Sequence, residues 1–250
     1  MNTVSFMWNG LQLQGQRVGE DSIFFKNFVR ECGIDSGEMF AHMMDAMPWV
    51  DRKAKFMAYR GRPLKRSKFF LTDHRTLIHV YKYTGMTWES TLHYECIQDY
   101  PRMRELVQLI NENLILPSGK PGFNHTIGTL YENGGDQIGF HSDKTESWTP
   151  GSSVAIISFG AAREFHLKNI ADESTQVFNC EDGDLFILGW KDNQTHKHSI
   201  PETEQVVGQR ISLCFRNIMN RYTRASLEKK VAKSKLAKER RLLAKVEKSS

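Results

Sequence analysis

The chain has 250 residues, of which 40% are hydrophobic and 25% charged, the make-up of an ordinary globular protein with room for one large domain or two small ones. No run is long and apolar enough for a bilayer span, and no basic leader followed by an apolar core opens the chain. The four cysteines (Cys32, Cys96, Cys180, Cys214) form no CxxC pair. These features argue against a membrane protein or a disulfide-built secreted domain. They fit an intracellular protein with reduced thiols, cytoplasmic or nuclear and monomeric by expectation. The net charge of +5 is unevenly divided: residues 221–250 hold 11 Lys/Arg against 3 Asp/Glu, whereas residues 1–220 hold 23 against 26. The body is slightly acidic. The tail is a candidate arm for nucleic acid or another anionic surface, or else a solvated, partly helical extension.

In chain order, "DSIFFKNFVREC" and "SGEMFAHMMDAM" carry helix-like periodicity, each behind a plausible Asp or Ser N-cap. "AKFMAYRGRPLKRSKFFLTD" reads as two short strands around a Gly-Arg-Pro turn. "DYPRMRELVQLINENL" is the clearest helix, with proline near its start. From Gly122 the texture turns to β. "FNHTIGTLY", "SVAIISFG", "REFHLKN", "TQVFNC", "DLFILGW" and "RISLCFRN" are short apolar or alternating runs parted by Gly, Asp, Asn and Pro. That spacing predicts a sandwich or jelly roll. The Gly134–Gly135 pair marks a tight turn, because neither a basic residue nor a helix start follows it.

"GFHSDKTE" puts His141 and Asp143 two positions apart, so both project to one side of a strand or its end. A non-haem iron site needs two histidines and one carboxylate on one face of the metal, leaving three positions for other ligands. "DNQTHKHSIP" offers His196 or His198 as the third ligand. Arg210 and Arg216 in "RISLCFR" share a face, and a buried arginine needs an anionic partner such as a dicarboxylate. His79, His125 and His166 read better as solvent-facing or hydrogen-bonded core histidines, and Trp148 and Trp190 as packing residues.

In this order the motifs resemble the AlkB-like branch of the iron(II)/2-oxoglutarate dioxygenases, nearest to the branch that repairs alkylated duplex DNA. The resemblance spans roughly Phe40 to Ile218 through "FNHTIGTLY", "ENGGDQIGFHSD", "PGSSVAIISFGAAREF", "GDLFIL", "HKHSIP" and "RISLCFRNI". It implies an α+β fold: a double-stranded β-helix (jelly roll) core, N-terminal helices and a hairpin region like a nucleotide-recognition lid. The implied boundaries are an N-terminal extension with a helix over 1–35 and a domain over 36–220. Within that domain the lid lies near 54–95 and the core near 122–218; the basic tail is 221–250. The resemblance implies Fe(II) ligation by His141, Asp143 and His198, with His198 preferred to His196 because it directly precedes Ser-Ile-Pro.

By the same resemblance Arg210 pairs with the distal carboxylate of 2-oxoglutarate, Arg216 lies near the other carboxylate, and Tyr131 hydrogen-bonds the cosubstrate. Thr129 and Ser212 stand where the family commonly has asparagines, and both keep hydrogen-bonding capacity. The implied reaction consumes O2 and 2-oxoglutarate, releases succinate and CO2, and hydroxylates a substrate C–H bond. On an N-methylated base the product then loses formaldehyde. Tyr59, Arg60, Arg66, Phe69 and Phe70 of the lid region would hold phosphates and stack on a base. Without the resemblance the same stretch is a hairpin with outward charges and a core-facing aromatic pair. Thr145 stands where DNA-repair members carry Asp or Glu against the base, with Glu146 one residue further on. A 2-oxoglutarate-dependent hydroxylase of a small metabolite, peptide or protein side chain is the alternative, and a nucleic-acid-binding scaffold the third reading.

Overall fold

The computed structural model describes residues 3–8, 11–51, 58–59, 62–63, 66–81, 87–113 and 122–247. The first half contains β1 (Thr3–Trp8), β2 (Leu11–Val18), β3 (Ser22–Phe25), α1 (Phe28–Glu31) and α2 (Ser36–Ala46). It continues with β4 (Ala58–Tyr59), β5 (Arg62–Pro63), β6 (Lys68–Thr72), β7 (Ile78–His79), β8 (Tyr94–Cys96) and α3 (Pro101–Asn113). The second half runs through β9 (His125–Tyr131), β10 (Ile138–His141), β11 (Val154–Gly160), β12 (Arg163–Asn169) and β13 (Thr175–Cys180). It closes with β14 (Leu185–Leu188), α4 (Trp190–Thr195), β15 (His196–Ile200), β16 (Arg210–Arg216), β17 (Arg221–Tyr222) and α5 (Arg224–Glu247).

Strands β9 to β16 build the jelly roll. One sheet has the order β14-β11-β16-β9 at its centre, and the facing sheet has the order β10-β15-β12-β13. The larger sheet is extended by β3, β2 and β1 beyond β14 and by β6 and β8 beyond β9. Alternation along each strand of the large sheet sorts its side chains into two layers. Ile211, Leu213 and Phe215 of β16, with Phe69 and Leu71 of β6, pack under Met39 and Met43 of α2 and Met103, Leu106 and Ile110 of α3. The opposite face looks into the space between the sheets, where Ile127, Ile156, Phe165, Leu167, Phe186 and Ile200 close the narrow part of the roll. Asp35 caps α2 by accepting a hydrogen bond from the Glu38 amide at 2.8 Å, and α3 starts at Pro101 as its sequence predicts.

Three sequence expectations are corrected. "DSIFFKNFVREC" is no single helix: Ser22–Phe25 is a strand and only Phe28–Glu31 is helical. Its apolar run lies buried in the sheet beside β14, so tertiary pairing overrides the local periodicity. Residues 3–25, expected to be an extension, supply β1, β2 and β3 of the large sheet. Part of the lid region, β6, belongs to the same sheet, and β4 pairs antiparallel with β5; residues 60–61 lie outside the described residues.

The tail is helical. Leu227 and Val231 are buried, and Arg224 donates to the Leu92 and Tyr94 carbonyls at 2.6 and 2.9 Å. Residues 232–244 are exposed throughout. Among the described residues no helix is long and apolar enough to cross a membrane, and the four cysteines are free thiols.

Candidate metal centre

His141 ends β10 directly opposite His198 of β15 in an antiparallel pair, and the two imidazole centroids are 4.2 Å apart. Asp143 follows in the loop, and one ligand atom from each of the three residues lies within 4.8 Å of the others. The His141 Nδ1 is 2.9 Å from the Gly139 carbonyl. Nδ1 therefore carries a proton there, and Nε2 is the nitrogen turned toward Asp143, 4.0 Å from Oδ1. His198 is stacked on Phe165, with 5.6 Å between centroids and 16° between planes. Burial, with a smaller push from His141, brings its pKa down to about 3. The His198 ring is thus held as a neutral nitrogen donor.

Asp143 is held from two directions. Arg216 Nη2 and Nε donate to its Oδ2 at 2.6 and 3.2 Å, which leaves Oδ1 on the histidine side. Burial alone would raise the Asp143 pKa; Arg216, His198 and His141 more than reverse this and keep the carboxyl below its usual range. Asn193 clamps the peptide, accepting from the Asp143 amide at 2.9 Å and donating to the Asp143 carbonyl at 3.0 Å. The Ser142 hydroxyl donates to the His196 carbonyl at 2.8 Å, and Tyr81 Oη accepts from the Lys144 amide at 3.2 Å. Arg216 in turn lies 4.5 Å from the Tyr81 ring centroid. Sequence reasoning missed Asn193 and Tyr81. Asn193 lies in the stretch "DNQTHKHSIP", where the histidines carry the motif, Tyr81 lies outside the quoted motifs, and only the fold brings the two to the Asp143 loop. His196, the rejected alternative ligand, turns instead to Thr195 Oγ1 at 2.9 Å.

The arginine end of the cleft follows from register. Arg210 pairs with Tyr131, Ser212 with Thr129 and Arg216 with His125, so the expected cosubstrate residues share the inner face of two adjacent strands. Arg210 is 1% exposed. Its Nη2 donates to Ser158 Oγ at 2.9 Å, while Nε and Nη1 find no partner. A buried guanidinium with two open donors calls for an anion. Arg216 Nη1 is also buried without a partner, so the pair with Asp143 does not use the whole fork. Tyr131 Oη accepts from Arg66 Nη1 at 2.8 Å, and the Arg210 guanidinium lies 5.1 Å from its ring centroid. Arg163 is nearby but spends its donors on the carbonyls of Asn133, Gly134 and Asp136. Lys68 Nζ donates to Thr129 Oγ1 at 2.8 Å. Burial, reinforced by Arg66, pushes the Lys68 pKa down to about 7.

The donor set fits a divalent iron, and the open nitrogens of Arg210 fit a carboxylate. The substrate residues fare differently. Arg60 and the Tyr59 side chain lie outside the described residues. Arg66 is turned inward to Tyr131. Phe69 and Phe70 are fully buried: Phe69 packs edge-on to Trp49 at 4.8 Å and Phe70 against Tyr94 at 5.3 Å. The expected stacking on a base is therefore corrected for both rings, which match the core-facing aromatic pair. The Thr145 carbonyl accepts from the Trp148 amide at 2.9 Å to close a turn, and Glu146 is exposed on that turn. His79, His125 and His166 meet Asp73, Tyr94 and Glu164, each within 2.8 Å. They stand apart from the metal triad, as expected of ordinary histidines.

Residues 23–216 match the 2OG-Fe(II) oxygenase superfamily. Among curated proteins, the DNA oxidative demethylase ALKBH2 of Arabidopsis thaliana is 24% identical over 162 residues, covering 56% of this chain and 48% of that one. The human DNA oxidative demethylase ALKBH2 is 30% identical over 105 residues, 39% of this chain and 40% of that one. The chain thus spans about half or less of the length of these relatives. The solved structure of OsALKBH1 superposes with a TM-score of 0.57 at 16% identity, covering 81% of this chain and all of that one; this likeness concerns the fold alone. With a jelly roll presenting a His-Asp-His cluster, a buried guanidinium with open donors, and a family match over most of its length, this chain belongs to the 2OG-Fe(II) oxygenase superfamily, which implies Fe(II), 2-oxoglutarate and O2.

Proposed function

We propose that His141, Asp143 and His198 hold the iron, that Arg210, Tyr131, Ser212 and Thr129 line the 2-oxoglutarate cleft, and that the enzyme oxidatively demethylates N-alkylated bases in DNA or RNA. The observation that supports the site assignment is one strand face: Arg210, with two open nitrogens, shares it with Arg216, which reaches Asp143 of the His-Asp-His cluster. The nucleic-acid reading rests on the AlkB-like relatives, which are named as DNA oxidative demethylases.

Iron with its cosubstrate and O2 supplies the oxidising equivalent that inserts oxygen into a C–H bond, as 2-oxoglutarate leaves as succinate and CO2. The protein's own task is preparation. Arg216 keeps the Asp143 carboxyl ionised, and burial keeps His198 neutral. The Gly139 carbonyl fixes the His141 tautomer. Hydroxylation of an N-methyl carbon gives a hemiaminal, which breaks its C–N bond to release formaldehyde and the unmodified base.

Two further features belong to this reading. The lid region, about residues 54–95, contacts the substrate, and the exposed half of α5 is a basic arm for phosphates. The protein works as an intracellular monomer in the cytoplasm or nucleus, where such a substrate is found. The test is succinate and formaldehyde release across methylated DNA and RNA oligonucleotides. The expected result is stoichiometric release of both from at least one oligonucleotide, and loss of both in His141→Ala. Succinate without formaldehyde on every oligonucleotide would instead select the hydroxylase of a metabolite, peptide or protein side chain.

A further inference from the structure

Register places four polar side chains in one line across the large sheet. Lys68 of β6 pairs with Thr129 of β9, Thr129 with Ser212 of β16, and Ser212 with Ser158 of β11. In-register partners share a face, and all four are buried on the side that faces the second sheet. The line lies one step from the Arg210–Tyr131 pair and two steps from the Arg216–His125 pair. It therefore crosses the cleft between the open guanidinium and the metal triad. Both its ends are already engaged: Ser158 Oγ accepts from Arg210 Nη2 at 2.9 Å, and Lys68 Nζ donates to Thr129 Oγ1 at 2.8 Å.

We propose that Lys68 is a cosubstrate-binding residue, its ammonium group joining the Thr129 hydroxyl in holding 2-oxoglutarate between Arg210 and the metal triad. The ammonium is buried on the inward-facing side of this line, where it donates to Thr129, and a buried positive charge favours an anion placed beside it. Its protein surroundings disfavour the charge: after burial itself, Arg66 and then Arg216 push against protonation, opposed by Cys214 and Asp143. A bound dianion reverses that balance. Binding should then draw a proton onto Lys68 wherever the free protein has it neutral, above about pH 7. Affinity for the cosubstrate falls as pH rises past that point.

The inference rests on placing 2-oxoglutarate against Arg210. It is tested by calorimetric titration of the Mn(II)-loaded protein with N-oxalylglycine at about pH 8, in two buffers of different ionisation enthalpy. The wild type should take up a fraction of a proton, and up to about one, more than Lys68→Met. Lys68→Met should bind roughly ten- to a hundredfold more weakly. Lys68→Arg, charged at every pH used, should regain affinity without the extra proton uptake; it also carries the test if the methionine variant does not fold. Equal affinity and equal proton uptake in wild type and Lys68→Met would overturn the assignment of Lys68 alone. Unchanged inhibitor binding with impaired oligonucleotide turnover would also overturn it, moving Lys68 to the substrate. No inhibitor binding by the wild type would remove the Arg210 placement beneath it as well.

Discussion

One amide side chain fixes the peptide that carries the carboxylate of the His-Asp-His cluster. Asn193 supplies both an acceptor and a donor to Asp143, as a neighbouring strand would, and it is 1% exposed. Asn193→Ala leaves the Asp143 N–H and C=O with neither partner, and is expected to cost about 1–3 kcal/mol of stability. Mn(II) affinity should fall beyond what that loss explains, because the loop is then free to turn Oδ1 away from the histidines. A denaturant melt alongside a Mn(II) titration separates the two effects; unchanged metal affinity would reduce Asn193 to a packing residue. At this scale the sequence pattern was most informative where residue types are chemically rare. An HxD pair, a second histidine before Ser-Ile-Pro and two arginines of even spacing mark the ligand and cleft positions. Asn193 and Tyr81 carry no such signature, because an asparagine before a strand or a tyrosine in an apolar run has many ordinary uses.

Among the elements, β16 shows how one strand serves two layers. Its odd-numbered residues Ile211, Leu213 and Phe215 are core beneath the helices. Its even-numbered Arg210, Ser212 and Arg216 face the cleft. Helix α5 divides along its length instead. Its first turns are anchored by Leu227, Val231 and the Arg224 hydrogen bonds, and residues 232–250 carry 7 Lys/Arg against 2 Asp/Glu. Removing residues 232–250 should leave the melting temperature nearly unchanged, since the Lys235–Glu89 ion pair that goes with them, at 3.1 Å, is exposed. Oligonucleotide binding should weaken, and its log–log dependence on salt should become shallower by roughly 0.9 for each duplex phosphate that the arm had neutralised. An identical salt slope in the truncated protein would make the arm a solvated extension.

The whole molecule has a pH response set by its interior. His125 and His198 are buried in their neutral forms: burial drives His125 well below the ordinary 6.5, and His198 down to about 3. The unfolded chain binds a proton at each position below about pH 6.5 while the native state does not, so stability is full above that pH and falls as pH drops. Asp143 adds a later loss, since its depressed pKa contributes stability above 3.8 that disappears on further acidification. For metal-free protein, the urea midpoint should fall steadily from about pH 7 to about pH 5. His125→Gln should show a shallower fall. A flat profile would mean that both imidazoles take up their protons in the native state as readily as in the unfolded chain.

Taken alone, the sequence determined the family and most of the strands of the second half. Metal ligands must be particular side chains, and period-two runs between turn residues leave little freedom in the second half. It did not determine the fate of "DSIFFKNFVREC", whose apolar residues fit a helix locally but pair with β14. Nor did it determine which way Phe69 and Phe70 point, because adjacent residues on a sheet strand face opposite sides and both sides of β6 are buried. The commitment of Arg216 to Asp143, the Asn193 clamp and the Lys68–Thr129–Ser212–Ser158 line were decided only by tertiary structure. Each joins residues from distant parts of the chain, and no local pattern encodes the register in which distant strands meet.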